Sequence, residues 1–424
     1  MKTLDEIFEE TLIDALQDSF SFPVVGAKLI KKQLEIKGIV LTDHQIDELK
    51  KKLENISGDT INLEFDLDDE QNKTLGLSDG KNIEIDIGGE QELDRLYQEY
   101  VTKVEKLAPE IIEVMTSPIL AGVKKDMPSI LKAHRKEMKG FENRMHKEWK
   151  KPLDLLETFV ILAFEAGADF NDKFREDAAE AQDHVFDVLT RLHARGCQIA
   201  SEVLVLLRNG FADGAHARWR SLHEVTVVAS FIKTHGNEVA ERYILHDNIE
   251  SYKAANLHQK YYTILGEEPI PEDEYNSIKA FRDELIARFG TPYKNNYGWA
   301  SSVLNITDPK FTDIEENAGL DHLRPYYKLA SHNVHENPKA LMFKLGLLGS
   351  AYNLLLAGPT NFGFTDPAQG TLFSLGLITA TLVTTKPTVD NMVMCNVLLK
   401  LESEIAEEFF KVQKDIENRE ATYR

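Results

Sequence analysis

After about residue 150 the hydrophobic positions recur every three to four residues, which predicts amphipathic α-helices. Glycine or proline residues that favour helix ends separate the runs, at Gly210, Gly236, Gly266, Gly290, Gly319, Pro338, Gly358 and Pro387. The most apolar run, 372–385, is shorter than the roughly 20 residues that cross a bilayer and contains Ser, Thr and Gly, so we expect a buried core helix. The pattern predicts an all-helical bundle over residues 153–424.

The first 90 residues follow a different pattern. Thr42 begins a capping-box sequence ahead of a helix predicted from Asp43 to Ile56. Apolar and polar residues alternate over 61–67 and over 83–87, which predicts half-exposed strands. We therefore expect a small acidic α+β module at 1–90 and a charged helical connector at 91–152. The predicted fold class is mainly α, a C-terminal helical bundle with this α+β N-terminal module.

Charge is unevenly distributed along the chain. The net charge is −21, and residues 1–100 carry 24 acidic against 11 basic residues, a net of −13. This balance weighs against bulk, sequence-independent binding of nucleic acid, and it favours a protein partner for the acidic module. Residues 124–151 carry 10 basic against 4 acidic residues, a net of +6. Three interpretations of that stretch are open: a solvated helix face, a contact with a polyanion, or a latch on the acidic module.

Cysteine usage and the N-terminal sequence favour a cytoplasmic protein. Only Cys197 and Cys395 are present, which excludes a disulfide framework and fits a reducing compartment. The first residues show no signal-peptide pattern, and we expect no membrane partner.

The candidate chemistry begins with a polar helical stripe. Ten of the 13 histidines lie between His184 and His335. Residues His216, Arg220, His223 and Glu224 are spaced so that they share a helix face, and that face becomes apolar further along the helix. The stripe is therefore expected to point partly inward. It is either an internal Arg220–Glu224 ion pair satisfied by a neighbouring helix, or a preorganised cation and carboxylate in a cleft.

Two further segments add polar residues at helical spacing. His246 and Glu250 lie one turn apart, and Tyr327, Ser331 and His335 share a face of a later helix. His335 lies at the predicted end of that helix, where the helix dipole favours a charged histidine. Such a histidine is suited to acid–base catalysis near neutral pH.

These three patterns, in this order, resemble a bacterial family known as domain of unknown function 5677 (DUF5677), over roughly residues 185–360. They are Arg220-x-x-x-Glu224, a helix with Tyr243, His246 and Glu250, and Ser331-x-x-x-His335. The resemblance implies an all-helical domain similar to the HEPN superfamily, many of whose members are metal-independent ribonucleases of bacterial defence or toxin systems. It also implies a homodimer.

The HEPN signature is an arginine followed closely by a histidine, and Arg218 with His223 fits it. On a helix the side chains of Arg218 and His223 point about 140° apart, so they are poorly placed to contact the same phosphate. We therefore prefer a composite catalytic site, in which Arg220 holds a phosphate, His335 moves a proton and Glu224 orients the arginine or a histidine. The supporting positions are His216, His223, His246, Glu250, Tyr327 and Ser331.

The first functional hypothesis is a metal-independent, HEPN-like endoribonuclease or nucleotide-acting enzyme, with RNA or a nucleotide as its partner and no cofactor. The alternative is a non-catalytic ligand-binding, sensor or protein-interaction domain that uses the same stripe. The second alternative is a metal-dependent helical-bundle enzyme with ligands from His223, Glu224, His246, Glu250, His332 and His335, although the Glu-x-x-His pairs of di-iron bundles are missing from these helices. Kinase, P-loop, Rossmann and zincin motifs are absent from the sequence, so those classes are not expected.

Overall fold

A computed structural model describes residues 22–36, 38–54, 73, 90–335, 337–347 and 355–422. The chain divides into two compact units, Met1–Met138 and Lys139–Arg424. Every regular element among the described residues is an α-helix or a short 3-10 helix, which confirms a mainly helical protein. The strands predicted for the N-terminal module lie outside the described residues. The predicted domain boundaries stay a prediction.

In the first unit, helices α1 (Phe22–Ile36) and α2 (Asp43–Leu53) pack together. Their small core consists of Ala27, Ile30, Leu34, Ile39, Leu41, Leu49 and Leu53. The capping box predicted at Thr42 is present: its backbone N–H donates to Gln45 Oε1 at 2.9 Å, and the Gln45 N–H donates back to the Thr42 hydroxyl. Local sequence chemistry therefore sets the start of α2.

Helix α3 (Glu90–Glu180) is the longest element described. It continues through four prolines, Pro109, Pro118, Pro128 and Pro152. The basic stretch 124–151 lies on this helix. In the second unit α3 buries the side chains of Met145, Trp149 and Leu153 in the main core.

The remaining helices belong to the second unit. They are α4 (His184–Arg208), α5 (Ala212–His235), α6 (Asn237–Leu245), α7 (Asp247–Leu265), α8 (Glu272–Phe289), α9 (Ser301–Leu304), α10 (Phe311–Asn317), α11 (Arg324–His335), α12 (Pro338–Met342), α13 (Thr365–Val383) and α14 (Val389–Thr422). Short 3-10 turns lie at Thr291–Lys294, Gly298–Ala300, Asp321–Leu323 and Leu345–Leu347.

Helices α4 and α5 form a hairpin, and α13 packs on both of them. Gly370 on α13 permits this approach, because a Cβ there would lie 2.6 Å from the Trp219 ring of α5. Trp219 in turn donates from Nε1 to the Ser374 hydroxyl at 3.1 Å. The apolar run 372–385 falls largely on α13 and is largely buried, as predicted. Among the described helices, none has the length and apolar character needed to cross a membrane.

The packing of Trp149 gives a first test of the core. Trp149 is buried against Phe364 and Phe409, with ring centroids 4.8 and 5.8 Å away, and its Nε1 donates to Asn361 at 2.8 Å. We expect Trp149→Ala to lower the free energy of unfolding by about 3–5 kcal/mol, measured by urea denaturation. Phe164→Ala removes a ring on the same helix that is 58% exposed, and should cost less than about 1 kcal/mol. Equal losses in the two variants would contradict this packing.

Candidate functional site

Helix α5 carries polar side chains on the face that enters the core. Its first turn contains Asp213, whose carboxylate accepts hydrogen bonds from the backbone N–H groups of Leu345 at 3.0 Å and Gly346 at 3.4 Å. Asp213 therefore fastens a distant segment to the start of α5. Further along, the stripe predicted from the sequence separates into pairs that contact different helices.

Arg220, Glu224 and Tyr327 form a three-way contact between α5 and α11, which we call the Arg220 network. Arg220 Nη2 lies 2.9 Å from Glu224 Oε1 and donates to the Tyr327 hydroxyl, also at 2.9 Å. That hydroxyl donates to Glu224 Oε1 at 2.5 Å. The Arg220 and Glu224 side chains are 21% and 35% exposed. The internal ion pair satisfied by a neighbouring helix, one of the two interpretations of the sequence, is what the structure contains.

Tyr327 is held as a neutral phenol. Burial raises its pKa above the ordinary value, and the hydrogen bond to Glu224 raises it further. The guanidinium of Arg220 also lies over the Tyr327 ring, 4.9 Å from its centroid. Tyr327 therefore acts here as a hydrogen-bond donor and packing surface rather than as a base.

His223 faces a second, fully buried group. Its Nε2 lies 2.7 Å from Glu315 Oε1, and both side chains are 0% exposed. Arg324 at the start of α11 forms an ion pair with the other carboxylate oxygen of Glu315. Burial lowers the pKa of His223, while the Glu315 carboxylate opposes that shift. Glu315 and Arg324 were not among the site residues predicted from sequence.

His216 has no polar partner among the described residues. Both ring nitrogens are buried without a hydrogen bond, and the ring stacks on Trp219 with centroids 5.3 Å apart. Burial lowers the pKa of His216 to about 4. A neutral, buried imidazole is poorly placed to exchange protons with a substrate.

His246 is also buried. Its Nε2 lies 3.0 Å from the carbonyl oxygen of Tyr293 and 2.9 Å from that of Asn295. Burial lowers the pKa of His246, although its backbone partners and Glu250 oppose the shift. Its Nδ1 lies 3.9 Å from Glu250 Oε1 on the next turn, so the predicted proximity of these two residues is present.

Tyr327, Ser331 and His335, which the sequence predicts on one face of a helix, all lie on α11 but have different surroundings. Ser331 donates its hydroxyl to the Tyr327 carbonyl at 2.7 Å, a bond within its own helix. His335 is exposed at the last residue of α11. The described residues include no hydrogen bond or ion pair between His335 and Arg220 or Glu224. The catalytic set Arg220, Glu224 and His335 stays a prediction.

The arginine and histidine of the HEPN-type signature also point to different partners. Arg218 pairs with Glu202 on α4, whereas His223 contacts Glu315 on α10. The geometry therefore separates these two side chains, in agreement with their spacing on the helix.

Cys197 and His193 lie close together, as a nucleophile and its base would in a cysteine-dependent active site, but their environment does not activate the thiol. The sulfur lies 3.8 Å from both ring nitrogens of His193. Burial raises the pKa of Cys197 to about 12 and lowers that of His193 to about 4. Both shifts favour the neutral thiol and imidazole, so this pair is packed core rather than an activated thiolate.

Potential metal ligands do not converge in the part of the chain that the structure describes: it contains no group of three or more His, Cys, Asp or Glu residues placed to hold one ion. His332, one of the histidines considered for a metal site, contacts Asn337 through Nδ1.

A cleft of about 430 Å³ opens between α7, α8 and the segment 294–310, and we call it the cationic cleft. Its charged and aromatic lining includes Tyr252, Lys253, Arg282, Lys294, Tyr297 and Lys310. Asp308 is the carboxylate of the lining and pairs with Lys310. Lys294 is exposed and forms no ion pair with any described residue. Sequence analysis missed this cleft, although the Tyr- and Asn-rich stretch 293–297 marks part of its wall.

Tyr297 connects the cationic cleft to the Arg220 network. Burial raises its pKa, and Glu224 raises it further while Arg220 opposes the shift, so both charges lie near the phenol. Tyr297 and Tyr327 also flank the Phe311 ring, with centroid distances of 6.4 and 5.2 Å. The cleft and the network are therefore neighbouring parts of one region.

The second unit is thus a helical domain with a paired polar interior and an adjoining cationic cleft. Residues 186–350 match the model of a family of unknown function, DUF5677, which confirms the family resemblance inferred from the sequence. That segment contains the Arg220 network and the residues that line the cationic cleft. No curated protein and no solved structure matches the chain.

His216 predicts a pH dependence of stability. An unfolded histidine has a pKa of about 6.5, whereas the pKa of folded His216 is about 4. As the pH falls from about 6.5 towards 4, the unfolded chain gains a proton that the folded chain does not, so stability falls. Between about pH 7 and pH 5 this contributes about 2 kcal/mol.

We expect His216→Phe to remove about this much of the pH dependence, measured by urea denaturation at the two pH values. His44→Phe, at an exposed position of α2, should leave it unchanged. A variant at position 216 with the wild-type pH dependence would show that His216 is not held neutral.

Proposed function

We propose that the helical half is a binding domain for a phosphorylated ligand, a nucleotide or a stretch of RNA, held in the cationic cleft. The observation that carries this proposal is the convergence of Lys253, Arg282, Lys294 and Lys310 on one cleft of a chain with net charge −21. In a strongly acidic protein, such a local excess of positive charge creates a field that attracts anions.

The lining matches the chemistry of a phosphate ester. Lysine supplies a compact charge, and arginine supplies a planar donor group that can bind two phosphate oxygens. Lys294 needs no internal ion pair to be broken before it meets a ligand. Arg282 lies 4.8 Å from the centroid of the Tyr252 ring, so cation and aromatic surface are presented together. Tyrosine rings beside cations are typical of sites that stack a nucleic-acid base.

The cleft volume also fits ligand binding. At about 430 Å³ it lies within the range of about 300–1,000 Å³ that is usual for small-molecule sites. Lys253, Arg282 and Lys310 of the cleft each pair with a carboxylate at its rim. The charged groups of the Arg220 network are likewise paired with one another. Lys294 therefore distinguishes the cleft, because it forms no ion pair with any described residue.

Salt dependence gives a direct test of phosphate contacts. A single-stranded nucleic acid loses affinity with a slope of about −0.7 per neutralised phosphate in a plot of log affinity against log salt concentration. We expect a labelled single-stranded RNA to bind the protein in fluorescence anisotropy, with competition by an unlabelled mononucleotide. Lys294→Ala and Arg282→Ala should each make the slope shallower by about 0.7.

Lys260→Ala is the matched control, because Lys260 is an exposed lysine on α7 that does not line the cleft. It should leave affinity and slope at the wild-type values. The proposal fails if neither probe binds at low salt, or if Lys260→Ala weakens binding as much as the cleft variants do.

A second candidate function is metal-independent cleavage of RNA at the Arg220 network. The observation that favours it is that Arg220 and Glu224 meet as predicted, remain partly exposed and lie beside the cleft through Tyr297. Arg220 would hold the phosphate, and His335 would exchange the proton at the attacking or leaving oxygen.

Purified protein should then cleave RNA in EDTA, and Arg220→Ala or His335→Ala should reduce the rate by at least about 100-fold. His44→Ala changes an exposed histidine outside the DUF5677 segment and should retain the wild-type rate. Binding without cleavage by the wild-type protein would leave the binding function and reject the catalytic one.

A further inference from the structure

A second, larger cleft of about 670 Å³ lies at the start of α7. Its lining includes Asp187, Tyr243, His246, Asp247, Glu250 and Trp299, and we call it the acidic cleft. One cation, Arg191, also lines it and is engaged by Asp187 at 3.0 Å. Asp247 forms no ion pair with any described residue. The cleft therefore has a net negative lining, opposite in sign to the cationic cleft.

His246 provides an observation independent of this charge. Its Nε2 lies within 3.0 Å of two carbonyl oxygens, and carbonyl oxygens only accept hydrogen bonds, so Nε2 carries the proton. Because burial favours the neutral ring, Nδ1 is left with a lone pair. This imidazole is almost fully buried, and both hydrogen bonds of its ring to described residues are at Nε2.

Nδ1 of His246 lies 3.9 Å from Glu250 Oε1. Two acceptor atoms thus face each other with no donor between them. Glu250 Oε1 accepts from Lys253 at 2.7 Å, while its second oxygen receives no hydrogen bond from the described residues. A donor nitrogen placed about 2.8 Å from both His246 Nδ1 and the Glu250 carboxylate would satisfy the pair.

The other lining residues of the acidic cleft indicate which kind of hydrogen-bond donor fits there. Val188, Leu192 and Ile244 line the cleft beside Tyr243 and Trp299, so its surface is largely apolar away from the carboxylates. A primary ammonium on an alkyl chain has several N–H donors for the two acceptors, and methylene groups for this apolar wall. A quaternary ammonium has the same charge but no N–H donor.

We propose that the acidic cleft binds the primary ammonium group of an alkylamine, at His246 Nδ1 and the Glu250 carboxylate. A lysine side chain of a peptide and a free alkylamine share this chemistry. The proposal does not rest on the phosphate-binding function proposed above, because its ligand has the opposite charge and occupies a different cleft.

Titration calorimetry of the full chain in an amine-free buffer tests the proposal with hexylamine and hexyltrimethylammonium. Hexylamine should bind with one site, and the trimethylated probe should bind at least about tenfold more weakly, since it cannot donate to Nδ1. N-acetyl-lysine N-methylamide and spermidine then distinguish a lysine side chain from a free polyamine.

Glu250→Gln keeps the size of the side chain and removes its charge, and should weaken hexylamine binding at least about tenfold. Glu284→Gln, an exposed position on α8 outside the cleft, is the matched control. The ¹⁵N resonance of His246 Nδ1 should shift on addition of hexylamine, which reports on the wild-type protein without any substitution.

The proposal is overturned if hexylamine gives no saturable heat at millimolar concentration, if both probes bind equally, or if Glu250→Gln binds like the wild-type protein. Selective binding that is lost in Glu250→Gln and retained in Glu284→Gln supports it.

Discussion

The Glu315 carboxylate is completely buried, and it is tolerable only because His223 and Arg324 flank it. These three residues lie on α10, α5 and α11, so one buried charge determines how three helices approach. Breaking such a group is costly, because the remaining charge stays in a poorly solvated interior. Nearer the surface, the Arg220 network also pairs a carboxylate with groups from two helices. There the Tyr327 hydroxyl of α11 donates to Glu224 and accepts from Arg220.

This pairing has a consequence for function. Most polar groups of the α5 stripe are committed to other helices, and His216 and His223 are neutral or shielded by burial. The side chains that remain available to a ligand lie beside this interior, along α7, α8 and the segment 294–310. The polar interior therefore stabilises the packing of the helices, and the clefts beside it carry the charged side chains that a ligand can reach. Tyr297 is the point where the two meet.

Periodicity and glycine positions were sufficient to predict a mainly helical protein, because helix ends such as Gly236, Gly266 and Gly290 follow local backbone chemistry. The Arg220–Glu224 pair was also predictable, since residues four apart on a helix are neighbours. The partner of His223 was not: Glu315 lies 92 positions away in a short helix with no distinguishing pattern. Likewise, the cationic cleft gathers residues from separate segments, and only the tertiary fold brings them together.

Helix α7 presents opposite charges to two clefts. Glu250 lines the acidic cleft and Lys253 lines the cationic cleft, and the two side chains form an ion pair at 2.7 Å. Asn296 lines both clefts and accepts a hydrogen bond from Lys253 at 2.8 Å. Partly exposed ion pairs contribute little to stability, about 0–1 kcal/mol, so a ligand can separate Lys253 from Glu250 at low cost. An anion that drew Lys253 towards the cationic cleft would leave Glu250 less compensated, which would strengthen the attraction of a cation on the other side. By linkage, the cation would strengthen anion binding to the same extent.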